Sequence, residues 1–280
     1  MRTIPAKRIV DAVKELSIQA NTLLRRDLLT ALKVAYTCER NKRAKTVLRM
    51  IIKNARIAKN ERLAICQDTG LPCVFLEVGQ GLRILGDLKS AVNKGVESGY
   101  KKGYFRSSVV KDPLARSRSG YTPAVIHTDL VKGNKLKITL LPQGFGCENK
   151  SVLKMFNPTA SSTEIKKFIV EAVRSAGSDA CPPYVIGVGI GGTADYACFL
   201  AKKALLRKVK GRRYKSTNKV SKLGQELLRQ INKLRIGPMG LGGRNTCLGV
   251  NIETHPTHIA GLPVAVNISC HALRSASRVI

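Results

Sequence analysis

The sequence lacks several features that define common classes of protein. It has no run of about 18 apolar residues, the length that crosses a bilayer, and its N-terminus, "MRTIPAKRIVDAVKEL", carries charges where a signal peptide has its apolar region. No two of its eight cysteines form a CxxC pair, which argues against a zinc ribbon or a thioredoxin-like motif. No internal repeat or low-complexity segment is visible. The sequence therefore predicts a globular protein of the cytoplasm, outside any membrane, with reduced cysteines.

Acidic residues are scarce relative to basic ones. The chain has 18 Asp and Glu against 49 Lys and Arg, a net charge of +31, so nucleic acid has to be considered as a partner. Much of the excess lies in residues 25–63 and 202–222, where apolar residues recur at helical intervals among the charges, as on amphipathic helices. Aromatic residues make up only 5% of the chain and are not interleaved with that charge. The sequence argues against specific nucleic-acid recognition, and a basic nucleic-acid-binding protein without catalysis is the alternative from another class.

Apolar periodicity predicts a helical N-terminal segment of about 60 residues followed by mixed strands and helices. Helices are expected at 6–16, 26–39, 43–59, 162–177, about 193–209 and 221–234, and strands at 71–79, 123–131, 135–144, 184–192 and within 248–270. The tetrapeptide "VKGN" at 131–134 predicts a hairpin, and the helix that ends at Gly177 is expected to begin with Ser162 or Thr163 as its N-cap.

Helices and strands do not alternate strictly in this pattern. We therefore expect an α+β fold, a mixed or antiparallel sheet flanked by helices, in one domain that spans residues 1–280. Gly187, Gly189 and Gly192 formally match the GxGxxG dinucleotide fingerprint. That motif requires a second strand ending in Asp or Glu about 20 residues later, where this chain reads "VKGRRYK". The sequence thus argues against a nicotinamide cofactor.

Glycine-dense turns with polar tips recur along the chain and are typical of a ligand cavity built from several loops. They read "CQDTG", "LPQGFGCENKS", "DACPPYVIGVGIGGT", "IGPMGLGGRNT" and "HPTHIAGLPVAVNISCHALRS". Together they resemble the iron-sulfur hydro-lyases, which comprise class I fumarate hydratases and L-tartrate dehydratases. The similarity extends from about residue 61 to residue 280, and "ICQDTG", "ACPPY", "GGT" and "GPMGLGG" are its most specific parts.

The resemblance implies a subunit of a two-chain enzyme. In the two-subunit form of the family, an α chain of about this length shares one active site with a smaller β chain, and this sequence resembles the α chain. The implied cofactor is a 4Fe-4S cluster and the implied substrate is a C4 dicarboxylate. Reversible hydration of fumarate to L-malate is the leading hypothesis, and dehydration of L-tartrate is the nearest alternative within the class.

The resemblance also implies three cluster ligands, Cys66 in "CQDTG", Cys181 in "ACPPY" and Cys270 in "NISCH". Thiolates are the usual ligands of such clusters, and a set of three leaves one iron open as a Lewis acid. Taken singly, Cys181 and Cys270 are also typical of small buried residues at strand ends. Cys247 is the rival for the third ligand.

The remaining site residues are likewise implied by the resemblance. The substrate-binding positions are Gln67, Arg106, Gly144 and Gly146, and the catalytic pair is Asp68 and His258. Arg106 is expected to grip a substrate carboxylate with its planar fork, the alternative being an ordinary surface arginine. Asp68 and His258 are expected to tune proton transfer at the carbon α to a carboxylate, with the base on the β chain. For either histidine of "HPTHIAG" the alternative is a loop residue without a catalytic role.

Two segments depart from the usual pattern of the family. Cys147 stands where a serine is usual, and Gln143 takes the place of a lysine. Gly120 and Tyr121 replace the more usual Asp-Asn before Thr-Pro. These changes leave the implied ligands and Arg106 intact, so the identity of the substrate is what they put in question.

Overall fold

The computed structural model describes residues 1–210 and 218–280. Its helices are α1 Ala6–Thr22, α2 Arg26–Cys38, α3 Lys42–Glu61, α4 Leu88–Lys102, α5 Phe145–Glu148, α6 Ser162–Ala176, α7 Ala194–Ala204 and α8 Lys219–Lys233. Its strands are β1 Arg2–Pro5, β2 Leu71–Gly79, β3 Leu82–Leu85, β4 Val109–Val110, β5 Ser119–Gly120, β6 Val125–Val131, β7 Leu136–Gln143, β8 Val152–Phe156, β9 Tyr184–Gly192, β10 Cys247–Thr257, β11 Leu262–Ser269 and β12 Ala276–Val279. The middle of the second basic segment, residues 211–217, lies outside the described residues.

The predicted α+β class is confirmed, with mixed sheets, flanking helices and a helical N-terminal segment that one short strand precedes. The chain divides into two compact units. The first comprises residues 1–25, 54–145 and 274–280, and the second comprises residues 26–53 and 146–273. That the whole chain acts as one catalytic domain stays a prediction. Within the described residues, no helix is both long enough and apolar enough to cross a membrane.

The first unit is built on a four-stranded sheet in the order β12-β7-β2-β6. Helices α1 and α4 pack against each other, and α1 also packs on β7 and β12. Glycines on α4 permit this approach, because a Cβ at Gly95 would lie 2.7 Å from the Cβ of Val13 and one at Gly99 would lie 2.6 Å from the Cβ of Ser17. The apolar core of this unit therefore lies between the helix pair and the sheet.

The predicted hairpin between β6 and β7 is wrong. Strand β2 lies between them, parallel to β6 and antiparallel to β7. The connecting residues cross the end of β2, where Gly79 N donates to Lys135 O (2.9 Å) and Gly81 N donates to Gly133 O (2.8 Å). The segment "VKGN" has the composition of a hairpin turn, but the two strands that it joins each pair with β2.

The second unit contains a four-stranded sheet in the order β10-β9-β11-β8. Alternate residues of its strands face opposite sides: Val264 and Val266 join the core formed with α6 and α8, whereas Ala265 packs with α7. On the α7 side, a Cβ at Gly187 or Gly189 would lie 2.0 Å from a carbonyl oxygen of α7. These two glycines of the GxGxxG match are therefore required for close packing of a helix on a strand.

Several helix boundaries differ from the prediction, and α1 continues to Thr22, six residues beyond its predicted end at residue 16. Helix α6 has Ser161 as its N-cap, one residue before the predicted cap, because Ser161 and Glu164 form a capping box in which Glu164 N donates to Ser161 Oγ (3.2 Å) and Ser161 N donates to the Glu164 carboxylate (2.8 Å). Its predicted stop at Gly177 is confirmed. Helix α7 ends at Ala204, earlier than the predicted position near 209.

Candidate functional site

The "CQDTG" segment forms the loop between α3 and β2 in the first unit. Asp68 organises this loop with both of its carboxylate oxygens: Oδ1 accepts from Gly70 N (3.0 Å) and Oδ2 accepts from Phe145 N (2.8 Å). A Cβ at Gly144 would lie 3.2 Å from Asp68 Oδ2, so a glycine there lets the end of β7 approach the carboxylate. Asp68 thus joins the loop to the chain that follows β7.

The residues after Asp68 are held from two further directions. Thr69 Oγ1 donates to the carbonyl oxygen of Arg106 (3.0 Å), and the Tyr100 hydroxyl donates to the carbonyl oxygen of Thr69 (2.8 Å). Burial raises the pKa of Tyr100 to about 12, so its hydroxyl remains a donor at neutral pH. Gly70 has φ +74° and a Cβ there would lie 2.8 Å from Gln143 N, so only glycine fits this position.

A buried arginine that sequence reasoning missed supports the same loop. Arg274 is 3% exposed and its Nη2 donates to the carbonyl oxygen of Asp68, while its Nε has no hydrogen-bond partner among the described residues. Gln143 is 2% exposed, and neither polar atom of its amide has a partner in the described part of the chain. Buried polar atoms without partners are rare in proteins and occur where a ligand or water completes the site. The environment of Asp68 therefore carries unsatisfied hydrogen-bonding capacity.

The structure brings several of the predicted residues of the first unit together. Gly144 lies against the Asp68 carboxylate, and the backbone of Arg106 is hydrogen-bonded to Thr69, the residue after Asp68. The Arg106 side chain is exposed. Cys66 is half-buried and its Sγ donates to Oε1 of the exposed Gln67 (3.4 Å). The roles of these residues in binding stay predictions.

In the second unit, strand register explains why two of the predicted ligands lie side by side. Ser269 at the end of β11 pairs with Val185 near the start of β9, so Cys270 follows one strand where Cys181 precedes the other. His271 donates to the carbonyl oxygen of Cys181 through both its backbone N (3.4 Å) and its ring Nδ1 (3.0 Å). Both cysteines stand at strand ends, as the alternative interpretation also expected, but both are half-buried rather than enclosed.

The local geometry at these two cysteines is unusual. Cys181 has φ +56°, a left-handed conformation that costs energy in a residue with a Cβ. The Sγ of Cys270 accepts a hydrogen bond from Ala272 N (3.3 Å). Hydrogen bonds to ligand sulfurs are one of the means by which proteins tune iron-sulfur clusters. Strain and a preset N–H···S bond are both typical of a functional position.

Cys147, in α5, is a third thiol beside this pair. It is 5% exposed and its Sγ donates to the carbonyl oxygen of Ala180 (3.4 Å). A hydrogen bond with Cys270, burial and the nearby negative charge of a Cys270 or Cys181 thiolate raise the pKa of Cys147 far above its ordinary value. Cys147 therefore stays a neutral S–H donor, the capacity that a serine hydroxyl has at the same position.

His258 and Gly146 also lie in the second unit. His258, exposed in the turn after β10, accepts from Ala260 N at Nδ1 (3.1 Å), which assigns the proton of the neutral ring to Nε2. Its partner in the predicted pair, Asp68, belongs to the first unit, so that pairing stays a prediction. A Cβ at Gly146 would meet its nearest neighbour at an ordinary 4.0 Å, so this glycine, unlike Gly144, is not required by close packing.

The side chains that could bind a metal or a cluster are those of Cys, His, Asp and Glu. Over residues 1–210 and 218–280, no three side chains of His, Cys, Asp or Glu are gathered so as to hold a metal ion. The chemistry of the candidate donors nevertheless fits an iron-sulfur cluster, because thiolates are its preferred ligands and Cys181 and Cys270 share one end of a sheet with an N–H···S bond already formed.

The chain is similar to known proteins over nearly its whole length. The profile of the family described as fumarate hydratase (Fumerase) matches residues 10–279. A protein of Methanocaldococcus jannaschii named "Putative L(+)-tartrate dehydratase subunit alpha" is 40% identical over 281 residues, which cover 96% of this chain and 96% of that protein. The L(+)-tartrate dehydratase subunit alpha of Escherichia coli K12 is 28% identical over 271 residues, which cover 95% of this chain and 89% of that protein.

These matches place the chain among the hydro-lyases, enzymes that add or remove water at a carbon-carbon double bond. The chain belongs to the fumarate hydratase (Fumerase) family. The family predicted from "CQDTG", "ACPPY" and "GPMGLGG" is thereby confirmed.

Proposed function

We propose that this chain is the α subunit of a two-subunit hydro-lyase that adds water reversibly to fumarate and forms L-malate. The arrangement around Asp68 carries this proposal, because a carboxylate fixed by two backbone N–H groups stands one residue after the exposed Gln67 and beside the chain that bears Arg106. Such a loop can present fixed polar groups to a small dianion. The names of the two relatives, each an α subunit, support a β subunit as the partner.

We propose Cys66, Cys181 and Cys270 as the ligands of a 4Fe-4S cluster. When bound, the cluster supplies a Lewis acid that polarises the C–O bond of the substrate hydroxyl. The N–H of Ala272, which donates to the sulfur of Cys270, supports thiolate character at this position, since a hydrogen-bond donor stabilises negative charge on sulfur.

Binding and orientation of the substrate fall to Arg106, Gln67 and Gly144 of the first unit and to Gly146 of the second unit. The exposed guanidinium of Arg106 takes one carboxylate in a bidentate grip, and its backbone is held in place by Thr69. Gln67 and the backbone at Gly144 and Gly146 supply further hydrogen bonds to the substrate.

Proton transfer falls to the catalytic pair and to the partner chain. The Asp68 carboxylate is fixed by two backbone N–H donors, and we assign it the role of orienting the imidazole of His258, whose Nδ1 accepts from Ala260 N. The base that removes the proton from carbon is assigned to the β subunit.

A second candidate function is dehydration of L-tartrate to oxaloacetate and water. The names of both relatives favour it, including the one that is 40% identical. The same groups serve either reaction, since L-malate and L-tartrate are both C4 dicarboxylates with a hydroxyl β to a carboxylate.

The test is reconstitution under anaerobic conditions. The purified chain is loaded with iron and sulfide and assayed with fumarate and with L-tartrate, before and after addition of its β subunit. We expect turnover only with both subunits and a faster rate with fumarate, and a faster rate with L-tartrate would select the second candidate. Full activity of this chain alone would contradict the division of the site between two subunits.

The same sample separates the enzyme from the alternative class. A brown, oxygen-sensitive protein supports the hydro-lyase. A colourless protein that binds RNA with a steep salt dependence would support the nucleic-acid-binding alternative.

A further inference from the structure

A cavity of about 540 Å³ opens in the second unit beside the C-terminal half of α8. Its lining residues are Gln225, Leu228, Arg229, Asn232, Lys233, Arg235 and Arg244. Four of these side chains are cationic, and none of the described residues that line this space is acidic. We call it the basic cavity.

The four cationic side chains come from three places in the chain: helix α8, the residues that follow it, and the segment before β10. Arg229 and Lys233 are four residues apart on α8 and so share one face of the helix. Arg235 follows the helix with φ +55°, a left-handed conformation that an arginine rarely adopts. The backbone of Arg244 is held by a hydrogen bond from its N–H to Oε2 of the buried Glu39 (2.9 Å). Arg229 and Lys233 carry like charges at i,i+4 spacing and therefore repel each other, so an anion between them would be favourable.

Nearby carboxylates are already engaged by other groups. Glu226, on the adjoining surface, accepts from Lys166 Nζ (2.8 Å) and from Gln230 Nε2 (3.1 Å). Both oxygens of Glu39 receive N–H donors. By contrast, Nε2 of Gln225, which lines the cavity, has no hydrogen-bond partner among the described residues. Among the described residues that line the cavity, Arg229, Lys233 and Arg235 thus supply positive charge and Gln225 supplies a free donor, whereas no carboxylate lines it.

We infer that the basic cavity binds a compact anion that carries two or more phosphate groups, such as the polyphosphate portion of a nucleotide. The guanidinium fork of arginine matches phosphate oxygens in a bidentate manner, and three of the four cations are arginines. The volume lies within the range of about 300–1,000 Å³ typical of small-molecule sites. This inference is independent of the proposed function, because no residue of the cavity is among the proposed cluster ligands, substrate-binding residues or catalytic pair.

The test compares two double variants of the full chain by isothermal titration calorimetry with inorganic tripolyphosphate. Arg229→Gln/Lys233→Gln removes two cations of the cavity. Arg49→Gln/Lys53→Gln is the matched control, because these residues form an exposed Arg–Lys pair at the same spacing on α3 in the same unit. We expect the control to bind like the unmodified chain and the cavity variant to bind at least about tenfold more weakly. Circular dichroism checks that both variants are folded.

Further arms identify the ligand. Equal weakening in both double variants, or no binding of tripolyphosphate at about 0.15 M salt, would show that only net charge is at work and would overturn the inference. Tighter binding of a single-stranded RNA oligonucleotide that depends on Arg229 and Lys233 would make the surface a nucleic-acid interface instead. If L-tartrate bound as tightly as tripolyphosphate, the cavity would not be selective for phosphate and the inference would be wrong. Binding of ATP that weakens in Arg229→Gln/Lys233→Gln, but not in the control variant, would support the inference.

Discussion

Glu39 provides the sharpest test of the packing of the second unit. This glutamate is 3% exposed, and its carboxylate accepts four hydrogen bonds: Oε1 from Arg40 N (2.9 Å) and Asn41 N (3.1 Å), and Oε2 from Arg244 N (2.9 Å) and Asn245 Nδ2 (2.7 Å). Two of these donors lie more than 200 residues away in the sequence. The carboxylate therefore ties the end of α2 to Arg244 and Asn245, which lie between "GPMGLGG" and β10.

The change Glu39→Gln retains the shape of the side chain but replaces one acceptor oxygen with an NH₂ donor. Two of the four N–H groups then face a donor and lose their bond. At about 1.5–3 kcal/mol for each hydrogen bond to a buried charged group, the expected loss in the free energy of unfolding is about 3–6 kcal/mol. This is a large part of the roughly 5–15 kcal/mol that stabilises a typical domain.

The same carboxylate predicts a pH dependence. Burial by itself would raise the pKa of Glu39, but the hydrogen bonds from Asn41, Asn245, Arg244 and Arg40 outweigh it and hold the pKa below the ordinary value of 4.5. A group whose pKa is depressed by folding stabilises the protein above its unfolded pKa and loses that contribution as the pH falls through its folded pKa. The stability difference between the unmodified chain and Glu39→Gln should therefore be full at pH 7 and shrink at pH values below about 4.

The assay is urea unfolding followed by far-ultraviolet circular dichroism at both pH values, with the exposed Glu61→Gln as the control. With a typical slope of about 1–3 kcal/mol per M, the midpoint of Glu39→Gln at pH 7 should fall by at least about 1 M, whereas that of the control should not change. A midpoint equal to that of the unmodified chain would refute the assignment of a buried, four-fold hydrogen-bonded carboxylate.

Three further predictions concern the candidate site and the fold. Replacement of Cys270 by serine should abolish the intact cluster, measured as iron content and visible absorbance, whereas the exposed Cys38→Ser should retain it; full iron in the first variant would exclude Cys270 as a ligand. Arg106→Lys keeps the charge but loses the planar fork, so kcat/KM of the reconstituted enzyme should fall at least about tenfold, and unchanged kinetics would leave Arg106 as an ordinary surface arginine. Gly189→Ala places a Cβ 2.0 Å from a carbonyl oxygen of α7 and should lower the unfolding free energy by about 1–3 kcal/mol or more. Gly261→Ala, whose Cβ would have its nearest neighbour at 3.9 Å, is its control, and equal stabilities would contradict the close packing of α7 on β9.

Most elements of the fold could be predicted from the sequence because their signals are local. The apolar spacing of the first three helices and the buried run of β2 were sufficient to locate them. The partner of a strand is not a local property. "VKGN" has the composition of a hairpin turn, yet β6 and β7 pair with β2 because that strand, buried on both faces, needs two neighbours.

In the candidate site, too, local signals could be read from the sequence, whereas long-range contacts could not. Asp68 and Cys66 stand out in a short motif, so a single segment was enough to select them. Arg274 and Tyr100 were missed, because their contacts with the loop join residues 206 and 31 positions apart in the chain. Tyr100 has no local feature that distinguishes it from the other buried residues of α4. For Arg274, the only hint of a role at the site was its position four residues after Cys270.

The sequence by itself determined the family, the fold class and the residue types available for chemistry, because these depend on composition, periodicity and motifs that can be read without a third dimension. Tertiary structure alone decided which donors meet which acceptors. The pairing of β9 with β11 sets Cys181 beside Cys270. Two N–H groups from a segment more than 200 residues away join two neighbouring ones on the carboxylate of Glu39. The physical reason is that a buried polar group must find its partner in space, and the chain supplies that partner from whichever segment packing brings within about 3 Å.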